Sequence, residues 1–105
     1  MVYIFEAHAS DLWQDEANLR ERILIRNPFS TEERTGVAHA CVRNLGIQIP
    51  AVVDGTDNRV EAAYTGWPDR LYVIDRQGRV AFKSLPGPYG FHPADAEAAI
   101  RKLVQ

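Results

Sequence analysis

The chain of 105 residues contains a single cysteine, Cys41. One thiol excludes an internal disulfide and any zinc site built from several cysteines. The sequence also has no apolar run near the roughly 20 residues that a membrane-spanning helix needs, and its N-terminus lacks the basic and then apolar pattern of a signal peptide. These absences predict a cytoplasmic protein that does not associate with a membrane.

The chain also has no excess of basic residues. Its net charge is −2 at pH 7, and its pI is about 5.9. This balance gives no electrostatic reason to expect nucleic acid as a partner. Apolar residues make up 46% of the chain and charged residues 25%, which is the mixture of a soluble globular protein. The length predicts one domain, residues 1–105.

The N-terminal part of the sequence predicts a strand followed by a polar segment. The run "VYIF" (2–5) is β-branched and aromatic, and it predicts a buried strand. The segment "SDLWQDEANLRERI" predicts a short helix that starts after Ser10 or Asp11, since both residue types are good N-caps. Capping is also the simplest role for these two side chains.

The clearest helix is predicted over residues 30–45. The segment "STEE" matches a capping box, with Ser30 as the cap and Glu33 three residues later. Apolar residues follow at helical spacing, and Gly46 is placed where a helix often ends in a left-handed conformation. Cys41 lies on the apolar stripe of this helix, which favours a buried structural cysteine over a reactive one.

A proline and a short strand follow the long helix. Pro50 cannot donate a ladder hydrogen bond, so it should begin or directly precede a strand within "IQIPAVVD" (47–54). The next segment, "NRVEAAY" (58–64), predicts a short helix or a turn.

The C-terminal part predicts a hairpin and a last helix. The runs "RLYVI" and "RVAFK" flank the turn sequence that ends in Gly78, and together they predict an antiparallel hairpin over 70–84. The segment "LPGPYGF" (85–91) predicts a loop because it contains two prolines and two glycines. Pro93 is then well placed to start the last helix.

The order of these elements predicts an α/β fold. The first two strands, joined through a helix, should pair in parallel with a right-handed crossover. A hairpin and a helix complete a β-α-β-β-α core, and this order is the ending of a thioredoxin-like domain. Pro50 then falls where such a fold keeps a cis-proline beside its active site.

The stretch "EAHASDLW" (6–13) places several chemically capable side chains after the first strand. Glu6 and His8 are two residues apart, so on a strand they would project to the same side. At the C-terminal end of a strand in an open α/β sheet, that side can face a ligand crevice. A histidine beside a carboxylate can deliver a proton. The alternative is a pair that only satisfies polar groups at the end of a strand.

Four segments together resemble the iodothyronine deiodinases and their bacterial homologues: "VYIFEAHASDLW", "VVDGTDN", "AAYTGWPDRLYVIDRQGRVAFKS" and "GPYGFHPADAE". The resemblance runs from Val2 to about Ile100. It implies a thioredoxin fold related to the peroxiredoxins, and an oxidoreductase whose nucleophile is a selenocysteine or a cysteine. It also implies that Glu6 and His8 deliver a proton and contact the substrate.

Two further residues are candidates for substrate binding. Pro50 is one because it falls where a thioredoxin-like fold keeps a proline beside its active site, and Trp13 is a candidate wall of a substrate pocket. A tryptophan at this spacing is at least as often a core residue.

The nucleophile of the family lies upstream of the Glu-Ala-His strand, and this chain begins at that strand. We therefore expect the N-terminal strand–helix unit and its nucleophile to be missing from the chain. Without that unit a sheet edge or an apolar face is open, which predicts self-association, for example as a homodimer.

Two positions depart from the pattern of the animal enzymes. A second histidine precedes their long helix, and Asn27 or Pro28 occupies its place here. An arginine before the Gly-Pro of their late loop is replaced by Pro86. The resemblance implies that both missing side chains contact the hormone, so thyroid hormone is not the expected natural substrate.

The other histidines have ordinary structural interpretations. His39 is predicted in the middle of a helix and His92 at the cap of the last helix. No group of residues has the spacing of metal ligands, and neither a metal nor another cofactor is predicted.

Two functions from different classes remain open. The first is a deiodinase-like oxidoreductase domain that depends on a thiol or selenol, acts on a small-molecule substrate with a thiol reductant, and is inactive as this chain alone. The second is a non-catalytic thioredoxin-like module, or a dimerising structural protein, that lacks the nucleophile.

Overall fold

A computed structural model describes residues 1–9, 15–22 and 24–105 of the chain. They form two compact units, residues 1–64 and residues 65–105. Both units combine short strands with helices, so the predicted α/β class is confirmed. None of the helices in the described ranges is long and apolar enough to cross a membrane.

The described residues of the first unit form a pair of parallel strands and three helices. Its elements in chain order are β1 (Val2–Tyr3), α1 (Glu16–Arg20), α2 (Thr31–Asn44), β2 (Val52–Val53) and α3 (Arg59–Tyr64). In the strand pair, Val2 lies opposite Val52, and α2 packs against β2. The predicted parallel pair with a helix between its strands is therefore confirmed.

The first strand is shorter and more exposed than the sequence predicts. It ends at Tyr3 instead of residue 5, and Val2 is 42% exposed. The reason lies in its partner: the chain leaves β2 at Asp54, whose backbone N–H makes a ladder hydrogen bond of 2.9 Å to the carbonyl of Tyr3. A strand without a longer partner cannot continue its ladder.

The predicted limits of α2 are confirmed by both of its caps. The hydroxyl of Ser30 accepts a hydrogen bond of 3.1 Å from the backbone N–H of Glu33. At the other end, Gly46 has a φ of +62°, and Ile47 donates a backbone hydrogen bond of 2.9 Å to Val42. This is the Schellman arrangement, in which a residue without a side chain allows the left-handed turn.

The start of α1 and the position of Pro50 can be compared with the sequence predictions. Helix α1 begins at Glu16 after the N-cap Asp15, whereas the capping residues predicted for it, Ser10 and Asp11, lie outside the described residues. Pro50 lies two residues before β2, close to the position predicted for it. The cis X–Pro bonds of the described chain are Trp67–Pro68 and Gly87–Pro88, so Pro50 does not supply a cis-proline.

The second unit is a hairpin covered by one helix. It consists of β3 (Tyr72–Ile74), β4 (Val80–Lys83) and α4 (Pro93–Leu103). The strands are antiparallel, and Gly78 in their turn has a φ of +80°. Helix α4 packs against both strands, with His92 as its N-cap and Pro93 in its first turn. These observations confirm the predicted hairpin and last helix.

Candidate functional site

Glu6 and His8 lie in an irregular segment after β1, not on a strand. Both side chains are half-buried, and the chain bends at residues 7 and 8. Ala9, which follows, is only 1% exposed, so the segment is held against the interior of its unit. Because the strand ends at Tyr3, the side-by-side projection expected from strand periodicity does not apply to the pair.

Helix α2 contributes a buried arginine to the same unit. Arg34 is 3% exposed, and its Nη1 donates hydrogen bonds to the carbonyl of Asp54 (3.2 Å), the carbonyl of Gly55 (2.7 Å) and Oδ1 of Asn58 (3.0 Å). A buried guanidinium needs such acceptors to offset its loss of hydration. Arg34 thereby fixes the loop after β2 against the helix.

The same loop is fixed from the other side by Asp54, which is 2% exposed. One carboxylate oxygen accepts a hydrogen bond of 3.1 Å from the backbone of Val60, and the other accepts one of 2.9 Å from Glu61. These N–H groups belong to the first turn of α3 and have no partner within the helix, so Asp54 caps it.

The electrostatic environment of Glu6 is set by burial and by Arg34. Burial raises the pKa of the Glu6 carboxyl above its ordinary value of 4.5, and the positive charge of Arg34 offsets part of that increase. A carboxyl whose proton is retained to higher pH is better matched to proton transfer near neutrality. Burial thus favours the protonated form of Glu6 relative to an exposed glutamate.

Cys41 is half-buried, whereas the sequence predicts a buried cysteine. The structure corrects that prediction. The most buried stripe of α2 passes through Arg34 and Ala38, 3% and 5% exposed, and Cys41 lies at its edge. Burial, and then the negative charge of Glu6, raise the pKa of the Cys41 thiol above its ordinary value of 9.0. Since the thiolate is the nucleophile, this environment makes Cys41 a poor one.

A shallow groove of about 470 Å³ lies between α2 and the segment that precedes it. Its walls include Pro28 on one side and Val37 and Ala40 on the other. Its lining is mainly apolar, with Arg26 and Glu33 as its charged members. The guanidinium of Arg26 also lies 4.5 Å from the centre of the exposed Phe29 ring.

The other predicted site residues are less informative. Trp13 lies outside the described residues. Pro50 is exposed, and its carbonyl accepts a hydrogen bond of 2.7 Å from the nitrogen of Met1. As predicted, His39 lies in the middle of α2 and His92 occupies the N-cap position of α4, where its side chain makes no capping hydrogen bond. Within the described ranges, no group of three or more His, Cys, Asp or Glu side chains could hold a metal ion.

Sequence reasoning missed Arg34 and its partners in the loop. A signal was present, because Arg34 is one helical turn before Ala38 and so shares its face of α2. A charged residue on the apolar stripe of a capped helix indicates a buried cation that needs hydrogen-bond acceptors. The segment "VVDGTDN" likewise places Asp54 directly after a strand, where a carboxylate can cap the next helix.

Comparison with known proteins defines the family. The iodothyronine deiodinase family matches residues 1–104. The chain therefore belongs to the iodothyronine deiodinase family, as the sequence motifs predict.

The chain is similar to two types of curated relative. It is 30% identical to a type I iodothyronine deiodinase of Xenopus laevis over 102 residues, which are 97% of this chain and 38% of that protein. It is 25% identical to a type II iodothyronine deiodinase of Rattus norvegicus over 104 residues, again 97% of this chain and 39% of the relative. The chain thus spans less than two fifths of the length of these relatives.

Proposed function

We propose that the chain is a deiodinase-like oxidoreductase domain, dependent on a thiol or selenol, in which Glu6 and His8 handle a proton. The observation that carries the proposal is the environment of Glu6. This carboxyl lies in the Glu-Ala-His sequence that resembles the family's motif, it is half-buried, and its pKa is raised by burial. The order of a parallel pair, a hairpin and a last helix supports a thioredoxin-like fold for the domain.

The pair has a defined task in such chemistry. When a halogen is removed reductively from carbon, the carbon–halogen bond breaks, the halogen leaves as halide, and a carbon–hydrogen bond forms. A thiol reductant supplies the electron pair and is oxidised to a disulfide, and a proton must be delivered to the carbon. Glu6 and His8 would relay that proton, which is the work of general acid catalysis.

The nucleophile in this proposal is not a residue of the described chain. Cys41 is the chain's only cysteine, and both causes of its pKa shift, burial and the charge of Glu6, disfavour its thiolate. Glu6 and His8 would therefore act on a group outside these residues.

The natural substrate is proposed to be a small molecule other than thyroid hormone. Asn27 or Pro28 occupies the position of the family's second histidine, and neither offers an imidazole nitrogen. At the position of the late-loop arginine, Pro86 is exposed and uncharged. The chain therefore lacks the histidine and the arginine that the resemblance assigns to hormone contact.

The complete product of the natural gene is the material for the test. Turnover is measured as iodide release from 2,6-diiodophenol and from thyroxine, with dithiothreitol as the reductant. We expect turnover of the phenol and little turnover of thyroxine. Glu6→Gln and His8→Asn should each lower the rate by about 100-fold or more, whereas Cys41→Ser and the exposed Glu21→Gln should leave it unchanged. Full activity in Glu6→Gln would contradict the proposal, and loss of activity in Cys41→Ser would overturn the reading of Cys41.

The DNA upstream of the Met1 codon gives an independent test. An in-frame cysteine or TGA codon about 30 codons upstream, the size of a strand–helix–strand unit, would support the oxidoreductase. A stop codon with no such segment would favour the second function.

That second function is a non-catalytic module that dimerises. It is favoured by exposed apolar residues in and around the parallel pair: Val2 is 42% exposed, Ile49 62% and Val52 61%. A second copy could cover them. Light scattering distinguishes the cases, because a monomeric mass at high micromolar concentration would contradict the dimer.

A further inference from the structure

A groove of about 520 Å³ lies between helix α4 and strand β4 of the second unit. Phe82 is part of its wall on the strand side. On the helix side it is lined by four residues at helical spacing: Asp95, Ala98, Ala99 and Lys102. Residues three, four and seven apart share one face of a helix. Asp95, Ala98 and Lys102 are exposed and Ala99 is half-buried, so this face of α4 is accessible to a partner.

The two charged side chains of this face lie at its opposite ends. Asp95 is in the first turn of α4 and Lys102 is in the last, which separates them by about 10 Å along the helix axis. In the described part of the chain, neither of them belongs to an ion pair. Glu97 and Arg101, on another face of α4, are already joined by a hydrogen bond of 3.2 Å. Asp95 and Lys102 are thus the charges of α4 that a partner could pair.

The layout of this face is complementary to itself. The midpoint between Asp95 and Lys102 falls between Ala98 and Ala99. A two-fold axis at that point places Asp95 of one copy opposite Lys102 of the other, and Ala98 opposite Ala99. Alanine side chains allow two helices to approach to about 8 Å. One antiparallel contact with a second copy therefore pairs both charges and packs both alanines.

We propose that two copies of the chain associate through this face of α4, with the two helices antiparallel about a two-fold axis. Leu103 also lines the groove and is 41% exposed, so the contact would cover apolar surface as well. An 11-residue helix offers less than the roughly 800 Å² per partner of a standard interface. The dimer should therefore be weak and in exchange with the monomer at micromolar concentrations.

This inference does not depend on the proposed function. Its residues also differ from the exposed residues in and around the parallel pair, which the non-catalytic alternative uses for a dimer. Substitutions in α4 therefore separate the two contacts.

The test is sedimentation of the 105-residue chain up to high micromolar concentration, with reversed charges. Asp95→Lys and Lys102→Asp each place like charges at both ends of the contact, so each should weaken association by about ten-fold or more. The double variant should associate like the wild type. An equal mixture of the two single variants should form mixed dimers, because their faces are then opposite in charge. A monomeric wild type, or single variants that associate as tightly as the wild type, would overturn the proposal.

Glu97→Lys is the matched control. It makes the same change in charge as Asp95→Lys but on another face of α4, so it should leave association unchanged. Circular dichroism checks that each variant is folded. Equal weakening by Glu97→Lys would show an effect of net charge and would contradict the specific contact.

A second measurement needs no substitution. In a mixture of isotope-labelled and unlabelled wild type, filtered NMR spectra should show contacts between the methyl groups of Ala98 and Ala99 in different copies. A dimer that lacks these contacts would overturn the proposal and would favour association around β1 and β2.

Discussion

Nη1 of Arg34 lies 3.0 Å from Oδ1 of Asn58, so a buried side chain of α2 reaches the residue before α3. Asn58 has a φ of +56°, a left-handed conformation that asparagine tolerates better than most residues. Its carbonyl accepts a hydrogen bond of 2.9 Å from Ala62. A polar contact thus joins α2 to the start of α3.

The carboxylate of Asp54 should be among the most important side chains for the stability of this unit. Asp54→Ala leaves the backbone N–H groups of Val60 and Glu61 without their acceptors. We expect it to lower the free energy of unfolding by about 2 kcal/mol, the cost of losing a cap and leaving buried donors unsatisfied. Urea denaturation measures the change.

Asp57→Ala is the matched control. Its ion pair with Arg59, at 3.2 Å, joins side chains that are 59% and 88% exposed. Such a pair contributes between about 0 and 1 kcal/mol. Equal losses of stability in the Asp54 and Asp57 variants would contradict the assigned role of Asp54.

Local signals were sufficient to predict most of the regular structure. Ser30 and Gly46 mark the ends of α2 because capping depends on a few neighbouring residues. Gly78 marks the hairpin for the same reason. The contacts of Arg34 could not be predicted in this way, since its partners lie at least 20 residues away in sequence. Such contacts depend on how β2 and α2 pack, which no local pattern specifies.

The residues of the candidate site were predicted from a sequence motif, whereas the geometry of the site was not predicted. The motif identified Glu6 and His8, but the strand that was expected to carry them ends at Tyr3. The strand signal of "VYIF" is a local preference, whereas the length of a strand depends on its partner. The chain leaves β2 at Asp54 to cap α3, and that requirement limits both strands.

Glu6 should make the stability of the chain depend on pH. Burial raises its pKa in the folded state above the ordinary value of 4.5, so the folded chain binds this proton more tightly than the unfolded chain. The resulting stabilisation is fully present below pH 4.5 and is lost as the pH rises through the folded pKa. Relative to Glu6→Gln, which cannot ionise, the wild type should therefore lose stability between acidic and neutral pH.

Denaturation curves at several pH values measure this difference. Glu21→Gln removes a charge from an exposed position and should not reproduce the trend. A constant difference between the wild type and Glu6→Gln would show that Glu6 has the same pKa in the folded and unfolded chains.

The reactivity of Cys41 should report on Glu6. The negative charge of Glu6 adds to the effect of burial in raising the pKa of the thiol. Glu6→Gln removes that charge and should lower the pKa, which increases the thiolate fraction and the rate of alkylation. The rate with iodoacetamide at mildly alkaline pH measures this, with Glu21→Gln as the control. A slower reaction in Glu6→Gln would contradict the prediction.

Gly90 should tolerate no side chain. A Cβ built there would lie 2.5 Å from the backbone carbonyl carbon of Leu85, and backbone atoms cannot move aside as a flexible side chain can. We expect Gly90→Ala to destabilise the second unit by about 1–3 kcal/mol, the usual cost of overpacking. Gly36→Ala is the opposite control, because Gly36 lies inside α2 with no atom within 4 Å of the added Cβ. Alanine there should stabilise the helix by about 0.5–1 kcal/mol. Circular dichroism during urea denaturation measures both changes, and a stabilised Gly90→Ala variant would contradict the close approach to Leu85.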